Sequence, residues 1–329
     1  MPRIINTILS GGFGTRLWPL STPENPKQFL KIFDNRSLFQ HTVKRNEDLV
    51  DALMILTNEK HYEIAKEQIQ ELDRSFDHVV LEPVPRNTAP AIALAAFSVD
   101  PEDILFVTPS DHMIGEGLAY TQVVNRAIEL AKDNFLVTFS IKPEHPETGF
   151  GYIEFVGDRV ISFREKPDEK TAKQFLEKGN FYWNSGMFCF KAGLFLSELQ
   201  KHSPDIFEKT QRAFQGGVTA DLMREIPEDS VDYAVFEKSA IIKTVAADFE
   251  WNDLGSFDAF FKYFNSFGDN ESVKPLKGLE VRNVDCYGDM EFLGVGIENL
   301  NVVQVDNKIL ILPKGESQLV KKLFKKYDK

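Results

Sequence analysis

The stretch ILSGGFGTRLWPL, Ile8 to Leu20, carries the first residues able to do chemistry. Gly11, Gly12 and Gly14 follow Leu9 and precede Thr15 and Arg16, and Lys27 comes soon after in PKQFL. A glycine-rich turn behind a strand exposes backbone N–H groups, which attract anions, phosphate above all. Glycine is needed there where a side chain would hold the phosphate off or where φ must be positive. Two familiar phosphate loops do not fit. A P-loop ends Gly-Lys-Ser/Thr, whereas Gly14 is followed by Thr15-Arg16, and a dinucleotide loop needs a third glycine where Leu17 stands. Taken alone, GGFG reads equally well as a plain turn. Arg16 and Lys27 favour a triphosphate, one as a bidentate fork and the other as a mobile point charge.

Further along, EPVPRNTAPAIALAA sets Glu82, Arg86, Asn87 and Thr88 at a strand end and helix start. A carboxylate acceptor beside amide and guanidinium donors could meet the donor and acceptor edge of a nucleobase. Taken alone, Asn87 or Thr88 is better read as a simple helix cap. In TPSDH, Ser110 and Asp111 follow a buried strand, where an Asp is either a cap or a Mg²⁺ ligand completed by substrate phosphates. Asp253 in WNDLGS is the candidate second carboxylate. Gly149 and Gly151 in TGFGYIE leave room for a ligand. Glu165 and Lys166 in FREKPD, Asn184 in YWNSGMF, and Asp232, Tyr233 and Lys238 in SVDYAVFEKS are further polar groups, but taken alone TGFGYIE reads as a hairpin and turn and EKP as a polar strand end.

The elements that must position these groups alternate strand and helix through the first half. IINTIL, ALMILT, HVVLE, DILFV and NFLVTF read as strands. Helices are expected after Ser37, whose Gln40 completes a capping box, over EKHYEIAKEQIQEL, over APAIALAAF and over Leu118–Lys132. The pattern predicts an α/β fold with parallel strands and crossover helices. The Gly-rich stretch, EPVPRNTAP and TPSDH all follow strands at their carboxyl ends, where open parallel sheets bind ligands. GYIEF and RVISFRE, joined by Gly-Asp, read as a hairpin. The polar NSFGDNESVKPLKG reads as a linker, dividing residues 1–267 from a β-rich segment, 268–329, that ends in a helix over Glu316–Tyr327. Lys321, Lys322, Lys325 and Lys326 on that helix read as a solvated face.

Composition narrows the class. The chain has 329 residues, 43% hydrophobic and 27% charged, which is ordinary globular usage. Its formal net charge of -12 argues against a general nucleic-acid or membrane-surface binder. Cys189 and Cys286 form neither a disulfide framework nor a metal cluster. No signal-peptide pattern opens the chain, and no apolar run nears the roughly 18 residues of a membrane span. A cytoplasmic enzyme is the expectation.

The joint set GGFGTRLWPLS…PKQFL, EPVPRNTAPAIALAA, TPSDH, TGFGYIE, FREKPD, YWNSGMF, SVDYAVFEKS and EWNDLGSF resembles the sugar-1-phosphate nucleotidylyltransferases, on the sugar-phosphate side through TGFGYIE, FREKPD, YWNSGMF and SVDYAVFEKS. Within that family it is similar to the branch of guanylyltransferases acting on mannose 1-phosphate. Pro85 stands where the family usually has Gly, and Glu250 and Phe257 depart from its GWNDVGSW pattern. The resemblance implies a Rossmann-like, mostly parallel mixed sheet flanked by helices, with a small C-terminal left-handed β-helix-like segment that can mediate a homodimer. It implies transfer of GMP from GTP to α-mannose 1-phosphate, giving GDP-mannose and pyrophosphate. Arg16 and Lys27 would be catalytic. Leu9, Gly11, Gly12, Gly14, Thr15, Glu82, Arg86, Asn87, Thr88 and Ser110 would hold the nucleotide. Gly149, Gly151, Glu165, Lys166, Asn184 and Asp232 would hold the sugar phosphate, and Asp111 and Asp253 a Mg²⁺ or other divalent cation. The longer bifunctional members carry a C-terminal isomerase domain, and 329 residues are expected to be too few to hold one as well. The same motifs leave open a sibling enzyme, such as a heptose-1-phosphate guanylyltransferase or a thymidylyltransferase. A non-catalytic nucleotide-sugar-binding homologue would be expected to have lost a cation or a carboxylate, and here all four of Arg16, Lys27, Asp111 and Asp253 are present.

Overall fold

The structure is a computed structural model that describes residues 2–12, 14–266 and 270–327. In chain order its strands and α-helices begin with β1 (Ile4–Leu9), α1 (Leu38–Asn46), β2 (Ala52–Asn58), α2 (Glu59–Gln70), β3 (His78–Glu82), α3 (Thr88–Phe97) and β4 (Ile104–Pro109). Next come β5 (Met113–Ile114), α4 (Leu118–Lys132), β6 (Leu136–Ile141), β7 (Tyr152–Val156), β8 (Arg159–Arg164), α5 (Glu169–Lys178) and β9 (Phe181–Lys191). Then follow α6 (Ala192–His202), α7 (Pro204–Gln215), α8 (Ala220–Glu225), β10 (Ile242–Ala247), β11 (Trp251–Asn252) and α9 (Phe257–Ser266). The chain ends with β12 (Val273–Pro275), β13 (Lys277–Leu279), β14 (Arg282–Tyr287), β15 (Leu293–Val295), β16 (Glu298–Val305), β17 (Lys308–Pro313) and α10 (Val320–Tyr327).

These elements form two compact units, each discontinuous in sequence. The first comprises Met1–Gly11, Val43–Pro109 and Ile114–Glu250; the second comprises Gly12–Thr42, Ser110–Met113 and Trp251–Lys329.

The first unit is built on a nine-stranded sheet in the order β3-β2-β1-β4-β9-β6-β10-β8-β7. β3, β2, β1 and β4 pair in parallel, as their alternation with helices predicts. The sheet is mixed: β9 runs antiparallel to β4 and β6, and β8 runs antiparallel to β7 and β10. β9, FYWNSGMFCFK, is buried along nearly its whole length, so it shows no period-two alternation to read. The β7–β8 hairpin turns at Gly157, whose φ of 63° suits a residue without Cβ. α2 is capped by Asn58, whose side chain accepts from the His61 N–H. The Ala-rich α3 is buried from Ala89 to Ala96, which its small side chains permit, and it joins the sheet's core of Ile5, Leu105, Phe188, Phe190 and Phe195.

The second unit has its own core. Leu17, Trp18, Leu20 and Phe33 from the early segment pack with Phe257, Phe260, Phe261 and Phe264 of α9, and with Tyr287, Val303, Leu310 and Leu312 of the late strands. Phe33 stacks on Phe264 at 5.3 Å. The capping box at the start of α1 forms as expected: Ser37 Oγ accepts from the Gln40 N–H and Gln40 Oε1 accepts from the Ser37 N–H, both at 3.1 Å. The proline-rich early segment makes only single 3₁₀ turns, at Thr15–Leu17 and Lys27–Phe29.

The C-terminal strands follow a register that their short apolar runs do not announce. Lys277 pairs with Leu293, Arg282 with Glu298, Val284 with Leu300 and Cys286 with Val302, all in parallel and all with the partner 16 residues on. One coil of chain is thus stacked on the next, and GLEVRNVD is repeated as GVGIENLN. Asn283 and Asn299, each at positive φ, stack with an amide hydrogen bond of 2.8 Å. The stretch expected to be a linker instead carries the end of α9, β12 and the start of β13. Residues 267–269, where the expected division at 267/268 falls, lie outside the described residues. α9 before that point and β12–β17 after it belong to one compact unit.

The closing helix starts later than expected. Asp258 accepts from the Gly315 N–H and from Ser317 Oγ, fixing that turn, and α10 proper begins at Val320. No described helix is long and apolar enough to cross a membrane.

Asp258 also accepts from Nδ2 of the fully buried Asn301. Asp258→Ala should therefore destabilise the protein by roughly 2–3 kcal/mol, because it leaves a buried amide donor unpaired. Asn283→Ala in the exposed ladder should cost less than about 1 kcal/mol. Urea unfolding of the two variants against the native chain measures the difference.

Candidate functional site

The second unit contains a cleft of about 610 Å³. Four predicted residues, Arg16, Lys27, Asp111 and Asp253, line it together with Gly14 and Thr15. Lys27 organises this wall. Its side chain is 8% exposed, and its ammonium lies 3.0 Å from Asp111 Oδ2. It also donates to the backbone carbonyls of Asp253 at 2.7 Å and Leu254 at 3.4 Å. Gly14 sits at φ 64°, and a Cβ there would come 2.8 Å from the Lys27 backbone nitrogen, so the loop can lie against PKQFL only as glycine. Gln28, fully covered beside it, donates to the Gly12 carbonyl at 3.0 Å.

Asp111 is held ionised here. Burial works to raise the pKa of Asp111, but the charges of Lys27, His112 and Arg16 overcome it and hold the group down at about 2. Asp253 Oδ1 accepts from the Gly255 N–H at 3.0 Å. Two carboxylates on one wall are hard oxygen donors suited to a Mg²⁺-like cation. Among the described residues no group of three or more His, Cys, Asp or Glu side chains could hold a metal alone. A cation here would draw its remaining ligands from substrate phosphates.

The first unit brings two further predicted groups together. Leu9 ends β1, Gly11 follows, and Glu82 ends the parallel strand β3. Glu82 is 5% exposed and its Oε1 is buried without a hydrogen-bond partner. Burial, opposed by a hydrogen bond from the Arg86 backbone, pushes Glu82 up to about 7. Arg86, Asn87 and Thr88 all have structural work. Arg86 Nε donates to the Ile226 carbonyl at 2.6 Å, Asn87 caps α3 from a positive φ, and Thr88 Oγ1 accepts from the Val231 N–H at 2.9 Å. The cap reading of Asn87 is therefore satisfied. These bonds also fasten the start of α3 to the segment leading into Asp232.

Around Asp232 the second group gathers. Asn184 Nδ2 donates to Asp232 Oδ1 at 3.0 Å, while its Oδ1 accepts from Thr138 Oγ1. The backbone N–H of Asn184 bonds the Gly151 carbonyl at 2.8 Å. Lys166 pairs with Glu165 Oε1 at 2.6 Å, leaving Glu165 Oε2 buried and unpartnered. A Cβ at Gly151 would collide with that oxygen. Burial first, then the charge of Glu165, pushes Asp232 up to about 7. The result is a buried array of oxygens and an amide, which is chemistry for hydroxyl groups rather than for an anion. Gly149 stands apart, its N–H bound by Glu147 at 2.8 Å. Tyr233 is exposed, and Lys238 reaches Ser203 at 3.4 Å.

Several lining residues were missed in the sequence. His112 sits 3.6 Å from Asp111 and edge-on to Trp251. Lys321 and Lys325, read as part of a solvated face, line the cleft together with Phe324. Gln28 and Glu147, which brace Gly12 and Gly149 rather than line the cleft, are polar residues whose spacing in the sequence is not distinctive.

Glu82 yields a pH dependence of stability. A carboxyl with a raised folded-state pKa favours folding below its ordinary value of 4.5, and that contribution is lost as pH rises through about 7. Glu82→Gln cannot titrate. Between pH 4.5 and 8 the native chain should therefore lose up to roughly 3 kcal/mol relative to this variant. Paired urea titrations at both pH values check it; parallel profiles would exclude a perturbed Glu82.

The nucleotidyl transferase family matches residues 5–270. Similar proteins include the xanthan biosynthesis protein XanB of Xanthomonas campestris pv. campestris, 40% identical over 98% of this chain and 73% of that protein. A mannose-1-phosphate guanylyltransferase of Escherichia coli is 37% identical over 97% of this chain and 73% of its own length. A solved structure described as a mannose-6-phosphate isomerase from Helicobacter pylori is 41% identical, with a TM-score of 0.69 over 76% of this chain and 99% of that one. A second, described as a mannose-1-phosphate geranyltransferase from Thermus thermophilus, is 27% identical, with a TM-score of 0.84 over 99% of both chains. With this match across most of its length and cations and carboxylates gathered on one cleft, the chain belongs to the nucleotidyl transferase family of enzymes.

Proposed function

We propose that the protein transfers GMP from GTP to α-D-mannose 1-phosphate, forming GDP-mannose and pyrophosphate. The observation that carries this is the gathering of Arg16, Lys27, Asp111 and Asp253 on one cleft, in a chain whose relatives include mannose-1-phosphate guanylyltransferases. A phosphate oxygen of the sugar phosphate attacks the α-phosphorus in line. A new P–O bond forms, the bond to the bridging oxygen of the leaving pyrophosphate breaks, and no proton need be removed from the dianionic nucleophile. Positioning and charge neutralisation then supply most of the acceleration.

Arg16 neutralises charge on the departing pyrophosphate. Lys27 holds Asp111 and the Asp253–Leu254 backbone in place, and reaches a phosphoryl oxygen by exchanging one of those partners. Asp111 and Asp253 would hold Mg²⁺, which when bound would screen the repulsion between two anionic substrates. Gly11, Gly12, Gly14 and Thr15, with Leu9 and Ser110, cradle the nucleotide. Glu82 as carboxylate accepts from the guanine N1–H and N2–H₂, with Arg86, Asn87 and Thr88 shaping that pocket. Asp232, Asn184 and Glu165 take the sugar hydroxyls, and Lys166 takes the phosphate, with Gly149 and Gly151 admitting the ligand where a side chain would stand.

In this reading residues 1–267 carry the transfer on a Rossmann-like sheet, in the cytoplasm. Residues 268–329 form a left-handed β-helix-like segment whose exposed Leu279, Leu293 and Val295 meet a second copy. Sedimentation of the native chain against Leu279→Glu/Val295→Glu should show a dimer lost to monomer.

The function is tested by pyrophosphate release over four nucleoside triphosphates and several sugar 1-phosphates, with and without Mg²⁺. GTP with mannose 1-phosphate should rank among the best pairs; if it does not, the substrate assignment is wrong. Arg16→Ala should lower turnover by about 100-fold or more, because it removes charge stabilisation from the transition state. Asp111→Asn and Asp253→Asn should each abolish the Mg²⁺-dependent rate; Asp253→Asn should retain the native melting temperature to within a few degrees, whereas Asp111→Asn, which removes the charge paired with Lys27, should also lower it.

A further inference from the structure

The C-terminal helix α10 is fastened onto the segment that carries Arg16. Val320 is buried in the core of the second unit, and the ring of Phe324 lies 6.5 Å from that of Trp18, two residues beyond Arg16. Lys308 closes over the same Trp18 ring at 5.1 Å. This anchorage fixes the rotation of the helix. Lys321 and Lys325 are four residues apart and so share a face. Both line the cleft with Phe324 between them, whereas Lys322 and Lys326 do not line it. The four lysines therefore fall into two pairs with different surroundings.

The charge balance of the cleft indicates what the inner pair is for. Arg16, Lys27, Lys321 and Lys325 line it against only two carboxylates, Asp111 and Asp253. Lys27 is already engaged by Asp111 and two carbonyls. Among the described residues, Lys321 and Lys325 make no ion pair with a carboxylate. A chain of net charge -12 thus gathers an excess of cations around one concavity. Such a concentration repels itself unless a polyvalent anion shares the space. A single phosphodiester carries too little charge to match it, whereas the terminal phosphates of a nucleoside triphosphate match it well.

We infer that Lys321 and Lys325 bind the β- and γ-phosphates of the nucleoside triphosphate, the pair that leaves as pyrophosphate. The inference rests on the proposed nucleotidyl transfer and deepens it. It gives the C-terminal segment a place in the substrate site, contributed through two residues outside the matched family region. The lysines are mobile, exposed point charges, so they can follow the pyrophosphate outward as it departs.

The test is calorimetric titration of inorganic pyrophosphate with Mg²⁺ into the full chain. Three variants are compared: Lys321→Gln/Lys325→Gln, Lys322→Gln/Lys326→Gln as a control of equal charge change, and Lys321→Arg/Lys325→Arg. The first should weaken binding by roughly tenfold or more, as expected for losing hydrogen bonds to a charged group. The control should stay within about twofold, and the arginine pair should retain affinity, since both carry the charge. GDP-mannose lacks the leaving phosphates and should bind all forms alike. In turnover, the KM for GTP should rise in the first variant while that for mannose 1-phosphate holds. The single Lys321→Gln and Lys325→Gln variants, each with a melting curve, separate binding from folding.

The inference is overturned if the native chain does not bind pyrophosphate, if the first variant binds it as the native chain does, or if the control or GDP-mannose affinity falls equally. A protein that binds pyrophosphate through these lysines yet releases none from any substrate pair would keep the inference and defeat the transfer reaction.

Discussion

An ammonium group almost sealed from water must find acceptors, and at Lys27 that requirement organises a whole unit of the protein. An unpaired buried cation would cost several kcal/mol. The acceptors it finds come from TPSDH and WNDLGS, segments far apart in the chain, one through a side chain and the other through backbone carbonyls. The early loop, the turn after β4 and the stretch after β11 are thereby drawn to one place. Gly14 completes the arrangement by letting the loop backbone approach where any side chain would be in the way. Residues that look like separate motifs in the sequence are one electrostatic object in the fold.

The carboxylates of the two units are prepared for different chemistry. Asp111 is surrounded by cations and is ionised at any physiological pH. Burial raises Glu82 to about 7, and burial joined by the charge of Glu165 raises Asp232 likewise. The first kind suits metal ions and phosphates, where fixed charge matters. The second suits bases and hydroxyls, where a group able to accept or donate a hydrogen bond discriminates between partners that differ by one proton.

The parts of this molecule legible in the sequence are those decided locally. Ser37 and Gln40 announce their helix because a capping box spans four residues, and β1 to β4 announce themselves through apolar runs closed by turn residues. The fit of Arg16 to Lys27, Asp111 and Asp253 was readable only because the motifs resemble a known family; no spacing rule places residue 27 beside residue 253. β9 was obscured because both its faces are covered. The role of Lys321 and Lys325 was hidden for a further reason. A lysine pair four apart on a terminal helix reads as solvent-facing, and only the packing of Phe324 on Trp18 shows which way it points. The repeat of GLEVRNVD in GVGIENLN could have been read directly, but a single repetition among short apolar runs does not stand out until the register between β14 and β16 gives its period.

That register has a consequence for how the segment can change over time. Because each residue of one coil lies over its counterpart 16 positions later, adding or removing one residue within a coil would shift every later side chain off its stack and turn inward groups outward. Whole coils, by contrast, can be gained or lost without disturbing those that remain. The length of this part of the protein is therefore free to vary only in steps, and the distance between its outermost coil and the rest of the chain is quantised in units of one strand spacing.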